Sequence, residues 1–146
     1  MNELLELARR PPITIAPDAS ARDLAKLLLE HKVGAVIVID ARGALAGIVS
    51  ERDVVTRVVA KTLDPDKTRV EEIMTKDVRT ARPSETSDAA LQAMVSGNFR
   101  HLPIVDDGGI VIGMLSVRHL LREQVGLLSR RNADLENYIS ADGPGG

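Results

Sequence analysis

The chain has 146 residues, enough for one compact domain or for two half-sized units that share a core. Its 19 basic and 21 acidic side chains give a net charge of -2, so the composition offers no basic footprint for nucleic acid or an anionic membrane surface. The sequence contains no cysteine, which excludes a disulfide framework, a thiolate metal site and a cysteine nucleophile.

The N-terminal segment, residues 1–10, is charged and lacks the apolar run of a secretory signal. No stretch of the sequence approaches the apolar length needed to cross a bilayer. With one phenylalanine, one tyrosine and no tryptophan, the core must be aliphatic, and stacking of nucleic-acid bases on aromatic side chains is not expected. We therefore expect a cytoplasmic protein whose partners include neither a membrane nor nucleic acid.

The first regular elements are predicted between residues 13 and 39. Residues 13–16 form an extended piece that ends at Pro17, whose ring and missing N–H discourage continued strand pairing. Ser20 and Asp23 have the spacing of a capping box, and apolar residues then recur at helical intervals, which predicts a helix with one buried face. Residues 33–39 are almost wholly apolar and rich in β-branched side chains, as in a strand covered on both faces.

A hairpin and a second helix follow. Asp40 and Gly43 bracket a turn into a partner strand at residues 44–49. The sequence Ser-Glu-Arg-Asp at residues 50–53 has the spacing of another capping box and opens a helix. The apolar positions of that helix are Val54, Val55, Val58 and Val59.

The second half of the chain repeats the first at a shift of 66 residues, without gaps. The identical pairs are Thr14 and Thr80, Pro17 and Pro83, Asp40 and Asp106, Gly43 and Gly109, Gly47 and Gly113, Ser50 and Ser116, and Arg52 and Arg118. The repeat predicts an extended piece at 78–81, a helix at 87–96, strands at 102–105 and 110–115, and a helix that begins at Ser116. Gly108 and Gly109 are expected in the second hairpin turn.

The repeat also divides the chain. We assign residues 8–65 to the first unit, 66–73 to a linker, 74–131 to the second unit and 132–146 to a helix end and a disordered tail. A polar, proline-containing run at 61–68 separates the copies. A unit of roughly 60 residues buries too little apolar surface to be comfortable alone, so the two units should pack face to face. Such packing leaves a cleft between related halves, where small-molecule sites tend to form.

The most informative stretch is the junction at residues 47–53, with the pattern G-x-x-S-x-x-D. Gly47 lets the backbone approach a ligand closely. The Ser50 hydroxyl, the unpaired N–H groups of the helix start and the two carboxylate oxygens of Asp53 suit two vicinal hydroxyls, such as those of a ribose. The same residues also form an ordinary helix cap worth about 1 kcal/mol, and the residues alone leave both interpretations open.

Two β-α-β-β-α units with this junction resemble the CBS (cystathionine-β-synthase) domain family. Residues 99–107, Phe-Arg-His-Leu-Pro-Ile-Val-Asp-Asp, look like the central strand of that family, and residues 72–75, Glu-Ile-Met-Thr, look like its usual lead-in. The resemblance covers residues 8–131. It implies an α+β fold in which two β-α-β-β-α repeats pack through their sheets as a pseudo-two-fold pair, with a C-terminal helix.

The resemblance further implies a regulatory module whose clefts hold AMP, ADP, ATP, S-adenosylmethionine or a related nucleotide. In that family the ribose is held by the serine and aspartate of the final junction, here Ser50 and Asp53. The adenine lies against the first strand and the start of the central strand, where this chain has Ile13, Thr14, Ile15 and Val33. Basic residues of the opposite repeat, here Arg118 and His119, are expected at the phosphates.

The second repeat departs from the family pattern, because His119 stands where the ribose-binding acid should be. An imidazole cannot replace a carboxylate as a two-oxygen acceptor, but it can help to hold a phosphate, as can Arg118. We therefore expect one good nucleotide site, which belongs to the first repeat and is completed by the second. The weaker second site would use Thr80, Phe99, Ser116 and Arg52.

The basic residues around the second junction have an alternative interpretation, since Arg118 and His119 could equally form a solvated face. Arg100 and His101 could extend the basic patch, although alternation along their strand allows only one of them to face a given side.

No catalytic or metal-binding pattern accompanies these motifs. The junction at Gly47 is not the G-x-S-x-G elbow of a serine hydrolase. His31, His101 and His119 lack the i, i+4 and H-E-x-x-H spacings of metal ligands, and neither G-x-G-x-x-G nor a P-loop occurs. We therefore expect no enzyme activity, no metal and no required cofactor, with an adenine nucleotide as the ligand.

The C-terminal segment carries a heptad pattern. Leucines at d alternate with residues at a, and the seam is formed by Leu121, Val125, Leu128, Asn132, Leu135 and Ile139. A single asparagine at a is a device that fixes a parallel helix pair in register, and Arg131 at g could reach Glu136 at e of a partner chain. This pattern favours a homodimer. The alternative is an amphipathic helix laid on its own domain.

Two functions of different classes remain open. In the first, a nucleotide closes the cleft between the repeats and shifts a dimer that a regulated protein partner reads. In the second, the chain is a structural or oligomerisation protein that kept the fold without an occupied site, and Ser50 and Asp53 serve only as a cap.

Overall fold

The computed structural model describes the backbone of residues 3–142 and the side chains of residues 3–126 and 128–130. The chain begins with a short helix, α1 (Glu3–Leu7), that was not predicted from the sequence. The first repeat then runs through β1 (Thr14–Ile15), α2 (Ala21–His31), β2 (Ala35–Ile39), β3 (Leu45–Ser50) and α3 (Glu51–Val54). A π-helical turn, Val55–Val59, extends α3.

The second repeat has the same order of elements. They are α4 (Val70–Ile73), α5 (Ser87–Gly97), β4 (His101–Val105), β5 (Val111–Ser116) and α6 (Val117–Asp142). Both predicted hairpins are confirmed as antiparallel strand pairs, β2 with β3 and β4 with β5. In the first repeat β1 adds a parallel strand beside β2, whereas the extended piece predicted at 78–81 keeps a single bridge, from Ala81 to Ile104.

The local sequence explains where the first helix and hairpin form. α2 begins at the predicted capping box, in which the Asp23 N–H donates to Ser20 Oγ at 3.0 Å. In the hairpin turn, Asp40 Oδ1 accepts the N–H of Arg42 at 2.9 Å. Gly43 then adopts a φ of 88°, in the left-handed region that a residue without Cβ tolerates.

Each half of the chain completes the hydrophobic core of the other. Leu4 of α1 is fully buried in the core of the second repeat, whereas Val70 and Ile73 of α4 are buried in the core of the first. A shift of 66 residues carries Leu4 onto Val70, so the exchange is symmetric. The segment 66–73, predicted as a linker, therefore ends in a helix that packs into the preceding repeat.

The bridges between the halves reveal the pseudo-two-fold relation. Arg9 pairs with Met114, and Thr75 pairs with Ile48. A shift of 66 residues turns one pair into the other. Between the two sheets, Ile37 of β2 packs in one cluster with Met114 of β5. The predicted α+β pair of repeats, packed through their sheets, is therefore confirmed.

Only part of the predicted apolar face of α3 is buried. Val58 is 1% exposed, whereas Val55 and Val59 are 60% and 68% exposed. Each exposed valine follows Val54 or Val58 by one residue, which rotates it about 100° around the helix and away from the core. The prediction of four equivalent apolar positions was therefore wrong for Val55 and Val59.

The helix predicted from Ser116 is α6, which runs without a break past Gly126 to Asp142. Leu121, Val125 and Leu128 of the heptad seam are all at least half exposed, so this part of the seam does not lie on its own domain. The remaining seam and flanking positions, Arg131, Asn132, Leu135, Glu136 and Ile139, lie outside the described side chains. Residues 141–142 are still helical, and the rest of the predicted tail, 143–146, lies outside the described residues.

In the described part of the chain, no helix combines the length and the apolarity that a membrane span requires.

Candidate ligand-binding clefts

Asp53 caps α3 through reciprocal hydrogen bonds with Ser50. The Ser50 N–H and hydroxyl both donate to Asp53 Oδ2, at 2.8 and 3.1 Å, and the Asp53 N–H donates to Ser50 Oγ at 3.3 Å. The second carboxylate oxygen, Oδ1, lies 3.7 Å from Nε of Arg57. The cap interpretation is therefore confirmed. Within the described residues, this cap leaves Oδ1 without a hydrogen-bond donor.

His119 takes the equivalent position at the start of α6. The Ser116 N–H donates to Nδ1 of His119 at 3.2 Å, and the His119 N–H donates to Ser116 Oγ at 3.3 Å. Because Nδ1 accepts a hydrogen bond, the neutral ring carries its proton on Nε2. The imidazole therefore reproduces the helix cap, but its second nitrogen is a donor where the carboxylate has an acceptor.

Two clefts open between the repeats. The first, which we call the Asp53 cleft, has a volume of about 360 Å³. The first repeat contributes Ser50, Arg52 and Asp53 to its wall. The second repeat contributes residues 77–79, which precede its single bridge, and residues 98–101, at the start of β4. The junction of one repeat thus faces the strand starts of the other.

The second cleft, which we call the His119 cleft, has a volume of about 490 Å³. Here the junction of the second repeat, residues 116–119, faces the strand starts of the first, at Ile13 and residues 32–35. Arg9 and Arg122 complete the wall. The two clefts are related by the pseudo-two-fold axis.

The clefts are contiguous, because Ala35, Arg100 and His101 line both of them. The main chain fixes Arg100 at this boundary, since its carbonyl accepts the N–H of Val117, the first residue of α6, at 2.8 Å.

Both histidines of the His119 cleft are harder to protonate than a free imidazole. Burial lowers the pKa of His119, and the nearby cations Arg122, Arg9 and Arg118 lower it further. Burial also lowers the pKa of His101, with smaller contributions from His119 and Arg100. The cleft therefore concentrates positive charge to the point that additional protons are disfavoured.

The structure divides the residues that the sequence had grouped into one site. Ser50 and Asp53 line the Asp53 cleft, whereas Ile13, Val33 and the predicted phosphate ligands line the His119 cleft; the latter ligands are Arg118 and His119. The grouping is therefore corrected. Each junction lies opposite the strand starts of the other repeat, because the sheets pack around a pseudo-two-fold axis.

The remaining predicted residues are also redistributed. Of the four assigned to a weaker second site, Arg52 and Phe99 line the Asp53 cleft and Ser116 lines the His119 cleft. Three predicted residues line neither cleft: Thr14, Ile15 and Thr80. Ile15 instead packs against the core of the first repeat.

Gly47 serves a contact within the protein. A Cβ at this position would lie 2.6 Å from the backbone oxygen of Thr75 and 2.8 Å from Sδ of Met74. The sequence analysis explained this glycine by the approach of a ligand. The structure assigns it to the segment that follows α4, which pairs with β3 through the bridge from Thr75 to Ile48.

Several lining residues were not predicted, chiefly Arg9, Lys32 and Arg122 in the His119 cleft and Arg79 in the Asp53 cleft. These four residues belong to no motif, and they come together only when the two repeats pack. The one usable signal was the excess of basic residues around the second junction, where Arg118 and Arg122 lie one helical turn apart.

Residues able to bind a metal ion do not cluster in the described part of the chain, where no three histidine, aspartate or glutamate side chains form such a group.

Comparison with known proteins gives a consistent family. The CBS domain profile matches the chain twice, at residues 4–60 and 70–126. A protein with CBS domains from Burkholderia ambifaria is 35% identical with a TM-score of 0.78, and the match covers 86% of this chain and 93% of that one. CBS domain pair proteins are in general regulatory, non-catalytic modules.

Two further similar structures contain ligands. The CBS domain protein PAE2072 from Pyrobaculum aerophilum, complexed with AMP, is 30% identical with a TM-score of 0.77, covering 87% of this chain and 96% of that one. The CBS domain pair of protein MJ0100, in complex with 5'-methylthioadenosine and S-adenosyl-L-methionine, is 31% identical with a TM-score of 0.75, covering 84% and 95%.

Proposed function

The chain belongs to the CBS domain family as a tandem pair, and on that premise we propose that it is a regulatory module that senses an adenosine-containing nucleotide in the Asp53 cleft. The observation that carries the proposal is the position of Ser50 and Asp53 in a cleft built by both repeats. A ligand that touches both repeats can alter how they pack, which is the physical requirement for a sensor.

The carboxylate of Asp53 suits a ribose. Its Oδ2 is held by Ser50, so the group is oriented before a ligand arrives, and its Oδ1 lies 3.7 Å from Arg57. Two vicinal hydroxyls can donate to the two oxygens of one carboxylate. Because the side chain is only 15% exposed, such hydrogen bonds would form with little competition from water.

The other walls of the Asp53 cleft match the remaining parts of a nucleotide. Apolar surface for a base comes from Ile48, Val78 and Phe99, the one phenylalanine of the chain. Cations for phosphate come from Arg52 and Arg79. The similar proteins solved with AMP, 5'-methylthioadenosine and S-adenosyl-L-methionine support an adenosine-containing ligand and leave AMP, ADP, ATP and S-adenosylmethionine as candidates.

We also propose that the module acts as a homodimer. Leu29, Val55 and Val59 are exposed on the outer surface of α2 and α3 in the first repeat. A shift of 66 residues carries them onto three equally exposed residues of the second repeat: Val95, Leu121 and Val125. Two matching apolar patches suit a symmetric pair of copies, since a two-fold interface uses the same surface on both chains.

Sedimentation of Val59→Glu tests the dimer. This substitution puts a charge into the first patch, and the expected result is a monomer. The matched control is Thr56→Glu, an exposed position in the same helical segment outside the patch, which should sediment like the unaltered chain. If Val59→Glu sedimented like its control, the patches would not be the interface.

A structural or oligomerisation protein with no occupied site is the second candidate function, and the apolar patches are the observation that favours it. The two functions differ in what they require of Asp53. A cap alone requires helix stability from this residue, whereas a sensor also requires a ligand response that disappears with the carboxylate.

Thermal denaturation with AMP, ADP, ATP and S-adenosylmethionine separates these functions. A ligand at a hundred times its dissociation constant adds about 2.7 kcal/mol, which should raise the melting temperature by roughly 5 to 10 °C. Asp53→Ala should abolish that rise. The matched control is Asp23→Ala, which removes the same kind of capping-box residue from α2, at an exposed site outside both clefts.

Each of these variants should lower the melting temperature of the free protein slightly, because each loses a cap worth about 1 kcal/mol. Only Asp53→Ala should lose the response to ligand. A chain that responds to no adenosyl compound would contradict the sensor function. An equal response in both variants would remove Asp53 from the site.

A further inference from the structure

The His119 cleft carries a charge pattern that a ribose-binding cleft does not need. Five cationic side chains line it against one carboxylate, that of Glu51. The cations are Arg9, Lys32, Arg100, Arg118 and Arg122. The whole chain has a net charge of -2, so the cationic charge is concentrated in this cleft.

These cations reach the cleft from separate parts of the fold. Arg9 follows α1, Lys32 is the left-handed C-cap of α2, and Arg100 precedes β4. Arg118 and Arg122 lie on the first turns of α6. Among the described residues, none of the five has a carboxylate oxygen within 4.0 Å of its charged nitrogens. Both repeats therefore deliver unpaired positive charge to one volume of about 490 Å³.

The junction itself offers donors in place of acceptors. Nδ1 of His119 is occupied by the Ser116 N–H, so the neutral ring presents an Nε2–H donor. The 26-residue helix α6 starts at this junction, and its dipole adds partial positive charge there. A ribose hydroxyl pair finds no carboxylate here, whereas phosphate oxygens find guanidinium groups, an imidazole N–H and a helix start.

We propose that the His119 cleft binds an oligophosphate. The cleft shares Arg100 and His101 with the Asp53 cleft, so the phosphate chain can belong to a nucleotide whose ribose lies at Asp53, or to a free inorganic oligophosphate. The nucleotide source rests on the proposed function, and the free source does not.

The electrostatics of the cleft give the inference a second readout. The neighbouring cations lower the pKa of His119, and a bound polyanion would offset their charge. Binding should therefore raise the pKa of this imidazole and draw a proton from solution. A merely adventitious surface contact far from His119 would leave its titration unchanged.

Isothermal titration calorimetry of the full chain with inorganic triphosphate tests the proposal. Arg122→Gln should weaken binding about tenfold or more, since it removes a charged hydrogen-bond donor. The control, Arg130→Gln, removes the same charge from the same helix at an exposed position outside the cleft, and its affinity should stay within about twofold of the unaltered chain. In NMR titrations, triphosphate should raise the pKa of His119.

Titrations with AMP and ATP identify the source of the phosphate chain. If ATP binds more tightly than AMP and Arg122→Gln removes that advantage, the chain belongs to a nucleotide. If triphosphate binds and ATP has no advantage over AMP, the occupant is a free oligophosphate. Both outcomes support the inference.

No triphosphate binding, or equal weakening by Arg122→Gln and Arg130→Gln, would overturn the inference. Binding of AMP without binding of triphosphate would overturn it while leaving the proposed function intact. Binding of triphosphate without binding of any adenosyl compound would do the reverse.

Discussion

Replacing the histidine of the second junction, His119→Asp, should stabilise the protein. In the first repeat the equivalent carboxylate of Asp53 accepts the Ser50 N–H at 2.8 Å, whereas His119 accepts the Ser116 N–H at 3.2 Å. The carboxylate would also sit at the start of a 26-residue helix, among the cations that now disfavour a protonated imidazole.

The size of this effect follows from the geometry. A negative charge in the first turn of a helix contributes about 0.3 to 1 kcal/mol, and a hydrogen bond to a charged acceptor is stronger than one to a neutral ring. Together these terms should add about 1 kcal/mol at low ionic strength, which raises the melting temperature of a chain of this size by about 3 °C. Added salt should reduce the gain, because the junction is partly exposed to solvent.

Melting curves at pH 7.5 in low and high salt measure the gain. His119→Asn is the control, because it offers a hydrogen-bond acceptor without a charge and should show little of the salt-dependent gain. A melting temperature for His119→Asp at or below that of His119→Asn would refute the reasoning about charge at this junction. The same variant should bind triphosphate less tightly, since it neutralises part of the cationic cleft.

Three further predictions concern the fold and its response to pH. Leu4→Ala should destabilise the chain by roughly 2 to 5 kcal/mol because Leu4 is fully buried in the core of the second repeat, whereas Leu29→Ala, at a 79% exposed position, should cost under about 0.5 kcal/mol in urea unfolding; equal costs would contradict the exchange of lead-in helices. Gly47→Ala should lower the melting temperature, because the added methyl group would lie 2.6 Å from the Thr75 carbonyl oxygen, and an unchanged value would contradict that close approach. The lowered pKa values of the two histidines in the His119 cleft mean that their neutral forms stabilise the fold fully above about pH 6.5, and that this contribution is lost as pH falls through the lowered folded values. Stability measured between pH 7 and pH 5 should therefore fall more steeply in the unaltered chain than in His119→Asn, and parallel curves would contradict the assignment.

Local features of the fold could be predicted from the sequence because short-range physics determines them. The capping box at Ser20 and Asp23, the turn at Asp40 and Gly43 and the buried strand at 33–39 each depend on neighbouring residues. The shift of 66 residues then extended every local prediction to the second half.

The composition of the clefts could not be predicted in the same way. Residues that face each other across a cleft, such as Asp53 and Phe99, are brought together by the packing of two sheets, and no periodicity in the sequence encodes that geometry. The resemblance to a family supplied the residue types at each junction but not the cleft to which each belongs. The packing of Leu4 in the opposite repeat was missed for the same reason, since a five-residue helix gives too short a pattern to indicate its partner.

A crystal structure of the chain with AMP tests the location of the ligand most directly. We predict that the two ribose hydroxyls lie within about 3 Å of the Asp53 carboxylate oxygens, with the adenine against Val78 and Phe99 and the phosphate directed toward Arg100. A nucleotide whose ribose lies beside His119, with the Asp53 cleft empty, would contradict the proposed site.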